Sequence, residues 1–176
     1  MELFDILSAL AGARGPSGFE TRAAERARSL LAPLADETWQ DNMGSLFGLL
    51  RSGRPNAGTV LLDAHLDEVG FLITGAESGF YRFRALGSVD PRLWPGAELQ
   101  ILTDPPAQAV VACLPPHLLE KGMENTAVKP EDLFIDTGGF AVPPGSPGVF
   151  AQKFQKLGGL VSGCALDDRA GFAVLL

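Results

Sequence analysis

Two short stretches hold the residue types that metal-assisted hydrolysis needs. In "AHLDE", His65 and Asp67 stand two residues apart. In an extended segment both side chains leave on one face, and Glu68 leaves on the other. A neutral imidazole can ligate a metal while a nearby carboxylate holds its other ring nitrogen. In "ALDDRAG", Asp167 and Asp168 are adjacent, and neighbouring carboxylates repel unless a positive charge offsets them. A divalent cation does so, and Arg169 can pair with one of the acids. Each stretch also has a plainer reading. His65 and Asp67 alone would be a hydrogen-bonded pair on a surface loop. Asp168 alone would cap a helix, whose N-terminus favours negative charge. Together, an imidazole and carboxylates brought in from two strand ends make the donor set of a catalytic zinc or cobalt site.

The elements that must position these residues are legible in outline. Leu3, Ile6, Leu7 and Leu10 fall on one face of a short helix over residues 2–12. "GPSGFE" breaks it. Ser17 with Glu20 three residues on is a capping-box pattern, which starts a second helix with an apolar stripe of Ala23, Ala27, Leu30, Leu31 and Leu34. "ETWQD", "DNMG" and "SLFGLLRSG" read as a hairpin. "GTVLLDAH" carries the continuous apolar run Val60–Leu61–Leu62, expected of a strand buried on both faces and ending at the His65 cluster. "GLVSGCALDDRAGFAVLL" reads as strand, loop and helix start.

Between these pieces, residues 69–155 hold short strand-like runs alternating with Gly/Pro turns. That texture predicts a small β-barrel or sandwich, with a core including Phe71, Phe83, Leu86, Ile101, Val110 and Phe134. Only "LLEKGMEN" leaves room for a helix. The fold class is therefore α/β: a domain in two pieces, residues 1–68 and 156–176, with a central mixed sheet flanked by helices and incomplete in this chain. A small β domain, residues 69–155, interrupts it.

Bulk properties narrow the function classes. The chain has 176 residues, 46% of them hydrophobic, and a net charge of -7. An acidic surface argues against nucleic acid and anionic membranes as partners. Cys113 and Cys164 lie far apart and make no disulfide framework, which suits a reducing cytosol. Acidic Glu2 and Asp5 sit where a signal peptide wants positive charge, so the expected location is cytoplasmic. Cys113 reads as a core strand residue, His117 as a structural loop residue and Trp94 as packed under a rigid loop where Asp90 and Arg92 can pair.

The motifs "PSGFE", "DNMGS", "LLDAHLDEVGF", "RFRALGSVDPRLWPG", "PPHLL", "LFIDTG" and "SGCALDDRAG" occur in this order. In them the chain resembles the N-terminal half of the TET-type glutamyl/deblocking metallo-aminopeptidases, some of which carry endoglucanase names. The resemblance implies two divalent metal ions, zinc or cobalt, peptide substrates and homo-oligomers from dimer to dodecamer built through the inserted β domain. It makes His65 a ligand of one metal, Asp67 the catalytic acid that orients that ligand, and Asp167 a carboxylate bridging both metals. Asp168 and Arg169 become supporting groups. Cys164 departs from the family, where lysine is common. The family also needs a glutamate pair, a further aspartate and a second histidine, which have no match here, so the chain is expected to be an N-terminal portion, inactive alone. Two other readings stand beside this one: a non-catalytic assembly module, and a glycoside hydrolase using Asp67 and Asp167 without metal. The metal reading requires a His65 nitrogen and an Asp167 oxygen within roughly 5 Å, close enough to share an ion.

Overall fold

A computed structural model describes residues 2–118 and 128–176; the "LLEKGMEN" stretch beyond Leu118 lies outside the described residues. The chain forms two compact units, residues 1–68 with 153–176, and Val69–Gln152.

The first unit begins with two amphipathic helices. α1 (Leu3–Gly12) buries Leu7, Leu10 and Ala11, and α2 (Thr21–Leu31) buries Ala23, Ala24 and Ala27. The predicted capping box does not form. A left-handed turn at Gly18 (φ 87°) separates Ser17 from the helix, and α2 starts at Thr21 without a side-chain cap. The Ser17 hydroxyl donates to Asp67 instead. The apolar stripe is also shorter than expected: a 3-10 turn carrying Pro33 follows Leu31, and Leu34 is exposed. β1 (Glu37–Gln40) and β2 (Leu46–Leu49) pair as the predicted hairpin, with Trp39 stacked on Phe47 at 5.1 Å. Val60, Leu61 and Leu62 form no strand and are 81%, 79% and 65% exposed. A strand needs a neighbour for its backbone N–H and C=O groups, and no described residue pairs with this run.

The second unit is a closed antiparallel barrel. Its strands are β3 (Gly70–Glu77), β4 (Phe80–Leu86), β5 (Glu98–Ile101), β6 (Ala107–Ala112), β7 (Phe134–Asp136) and β8 (Pro147–Phe150), in the spatial order β3-β4-β7-β6-β5-β8. Closure removes the unpaired edges that an open sheet of this size would expose. Phe71, Ile73, Leu99, Ile101, Val111 and Ile135 fill it, and the 3-10 turn at Pro91–Leu93 delivers Trp94 to the same core. Asp90 and Arg92 pair in that turn. Four of the predicted core residues sit differently. Phe83 is packed but only partly buried, Leu86 is partly buried at the end of β4 and outside the core cluster, Val110 is exposed, and Phe134 packs edge-on against Phe80. Alternation decides this: Val111, Leu133 and Ile135 point inward, so Val110 and Phe134 leave on the other face. Cys113, expected within a core strand, lies just past β6 and is partly buried against the core.

Gly148 on β8 lies opposite Phe71, and a Cβ there would meet the Phe71 ring at 2.1 Å. Gly148→Ala is expected to lower stability by about 1–3 kcal/mol through overpacking. A urea midpoint equal to that of the wild type would refute this packing account.

The chain then returns to the first unit. β9 (Gln155–Leu157) and β10 (Leu160–Ser162) form a second hairpin, and α3 (Leu166–Leu175) follows. Leu7 and Leu10 of α1, Ala27 of α2, and Phe172 and Ala173 of α3 share one core. Among the described residues no helix is long and apolar enough to cross a membrane.

Candidate metal centre

The segment before Glu68 is extended, and its side chains alternate. Ala64 and Leu66 pack against the core of the first unit, which turns His65 and Asp67 outward together. The His65 ring is held at both nitrogens. Nδ1 lies 3.0 Å from Asp67 Oδ1, and Nε2 lies 3.1 Å from Asp167 Oδ1, although 102 positions separate the last two residues. The expected approach is therefore present. Burial of the ring works against the imidazolium, but the hydrogen bond to Asp167 and the charges of Asp67 and Asp167 outweigh it and raise the pKa above its ordinary value.

The adjacent aspartates divide their work. Ala165 is left-handed (φ 59°), the Asp167–Asp168 peptide is cis, and both aspartates have non-helical backbone angles at the start of α3. Asp168 Oδ1 accepts the backbone N–H of Gly171 at 3.0 Å, which is an N-cap. The plain reading thus holds for Asp168. It does not hold for Asp167, whose side chain is 97% exposed and directed at His65. Asp168→Ala is expected to cost about 1 kcal/mol, whereas Asp168→Asn keeps the cap. Equal denaturation midpoints for the two variants would contradict the assignment.

Glu68 and Arg169, whose roles the motifs do not reveal, lock this arrangement. The Arg169 side chain is 2% exposed, and it pairs with neither neighbouring aspartate. It donates to the Leu66 carbonyl at 2.8 Å and the Leu10 carbonyl at 2.7 Å, with Nη2 3.5 Å from Glu68 Oε1. Glu68, buried on the face opposite His65, also accepts from Gly15 N and Arg14 Nη1, both at 3.0 Å. Burial pulls the Arg169 pKa below its ordinary value while Glu68 opposes that. One guanidinium thus ties the first residue after the aspartates to the His65 segment and to the end of α1. The available signal was an arginine at the head of an otherwise apolar helix.

An exposed ion pair contributes only about 0–1 kcal/mol, so stability gives little reason for His65 and Asp167 to face each other at the surface. Donors sharing one ion at ~2 Å each stand roughly 3 Å apart, and the observed spacing, with one imidazole and one carboxylate, fits a zinc-like cation. Among the described residues no group of three or more His, Cys, Asp or Glu side chains is arranged to hold a metal. His65 and Asp167 are two such side chains, 3.1 Å apart.

A model of the M42 glutamyl aminopeptidase family matches residues 44–176, which include both halves of this site. The chain belongs to that family. The glutamyl aminopeptidase of Lactococcus lactis subsp. cremoris is 31% identical over 134 residues, covering 74% of this chain and 37% of the relative. The TET aminopeptidase structure from a marine sediment thaumarchaeon superimposes with a TM-score of 0.91 at 28% identity, over 98% of this chain and 51% of that one. The Pyrococcus horikoshii TET1 peptidase, described as assembling into a tetrahedron or a large octahedral shell, matches at 32% identity and a TM-score of 0.83, over 99% and 54%. The chain spans about half the length of the relatives it matches, or less. Within this M42 chain, Cys164 is half-buried in the loop before α3 and His117 is exposed in a 3-10 turn of the barrel unit.

Proposed function

We propose that these residues form part of the catalytic centre of a metal-dependent aminopeptidase acting on the N-termini of peptides. The observation that carries the proposal is the placement of His65 between two carboxylates, one on each ring nitrogen. With Asp67 accepting from Nδ1–H, loss of the proton that Nε2 shares with Asp167 would free the Nε2 lone pair for a cation. His65 Nε2 and the exposed Asp167 carboxylate are the groups that would hold a divalent cation, zinc or cobalt, with Asp167 the candidate bridge to a second. Bound cations would supply polarisation of the scissile carbonyl and a water acidic enough to attack near neutral pH. Imidazole must lose its proton to ligate, so metal uptake weakens toward acid pH.

A catalytic zinc usually takes three protein ligands, and this site offers two, so the remaining donors and the general base are not among the residues described. The barrel unit is the proposed assembly element of a cytoplasmic homo-oligomer, by likeness to the shells of the Pyrococcus relative. The test is hydrolysis of leucyl- and glutamyl-p-nitroanilide by the product of the complete reading frame that contains residues 1–176. Turnover with zinc or cobalt, lost with a chelator, is expected, and the 176-residue polypeptide alone should give none. Glycan hydrolysis that survives the chelator would overturn the reading.

A further inference from the structure

Ser17 belongs to a capping pattern that the fold does not use. Its hydroxyl donates to Asp67 Oδ2, the oxygen that Asp67 does not turn toward His65. We propose that Ser17 is a positioning residue of the metal site: it fixes the Asp67 carboxylate in the orientation that holds the His65 ring with Nε2 toward Asp167. This rests on the metal-dependent reading above and assigns a role to a residue that precedes the stretch, residues 44–176, matched by the family model.

The geometry behind it is a short template formed by residues 14–17. Glu68 N donates to the Gly15 carbonyl at 3.1 Å, and Pro16 and Glu68 form an isolated parallel bridge. Arg14 and the Gly15 N–H hold the Glu68 carboxylate. The backbone and the inward-facing acid of the "LDE" run are therefore fixed by the template without Ser17. Only the outward-facing acid depends on the hydroxyl. A carboxylate with one oxygen on Nδ1 and no second partner can rotate about its side-chain torsions toward solvent, and the imidazole then turns with it. With the second oxygen held, the chain Ser17–Asp67–His65–Asp167 has one arrangement. Groups standing behind a metal ligand typically account for 10–100-fold in affinity. Ser17 acts one residue further back, which places it at the lower end.

The experiment is cobalt(II) titration of the complete reading-frame product, read by the visible d–d absorption of bound cobalt and by calorimetry, with thermal unfolding run in parallel. Ser17→Ala is expected to weaken cobalt binding about 10-fold and to alter the absorption envelope, with an unfolding midpoint near that of the wild type. Ser17→Thr, which keeps the hydroxyl, should restore both. His65→Ala separates the two levels of the argument. If it binds cobalt as tightly as the wild type, the metal reading fails and takes this proposal with it. If His65→Ala loses binding while Ser17→Ala matches the wild type, the metal site stands and the role of Ser17 is refuted. A Ser17→Ala protein whose binding loss is matched by unfolding, or is not rescued by threonine, would show a merely structural hydroxyl.

Discussion

Arg169→Ala is expected to lower the stability of the first unit by about 3–5 kcal/mol, the range for removing one partner of a buried ion pair. Three separate losses add. The carbonyls of Leu10 and Leu66 lose their guanidinium donors, Glu68 loses one of its two cations, and the space of a 2%-exposed side chain empties. An unsatisfied buried polar group alone costs about 1–3 kcal/mol. Lysine cannot span three acceptors with one ammonium group, so Arg169→Lys should fall between alanine and the wild type. Chemical denaturation checks the order. A loss below about 1 kcal/mol for Arg169→Ala would mean that the guanidinium does not hold the His65 segment against α3.

His65→Ala in the complete reading-frame product is expected to abolish aminopeptidase turnover and to weaken divalent-metal binding beyond the roughly 10–100-fold typical of losing a group behind a ligand. Asp167→Ala should act the same way, because it removes the other donor. Neither change should destabilise the fold by much, since both side chains are largely exposed and their mutual contact is a surface pair. That split, function lost and stability kept, distinguishes the pair from Arg169, where the stability loss comes first. Retained metal affinity in either variant would remove that residue from the site.

The barrel class was legible because Gly/Pro turns recur between short apolar runs from residue 69 onward. Which residues face inward was less so. "AVVA" offers two adjacent valines, and only pairing with β5 and β7 puts Val111 inside and Val110 outside. The apolar run at Val60–Leu62 has strand composition, yet pairing depends on a neighbour that periodicity does not reveal. At the site, His65, Asp67 and Asp167 stood out because a histidine and carboxylates after apolar, strand-like runs are chemically distinctive. Ser17 was misassigned because its spacing to Glu20 matches a cap, while the turn at Gly18 that prevents it is a backbone property. Glu68 and Arg169 are long-range partners whose pairing no local pattern encodes.

The central claim is that His65 and Asp167 share a cation. Anomalous diffraction at the zinc edge, from crystals of the complete reading-frame product grown with zinc, tests it most directly. The account predicts a strong peak within about 2.0–2.2 Å of both His65 Nε2 and an Asp167 oxygen. Zinc bound elsewhere, with His65 Nε2 still hydrogen-bonded directly to Asp167, would contradict it.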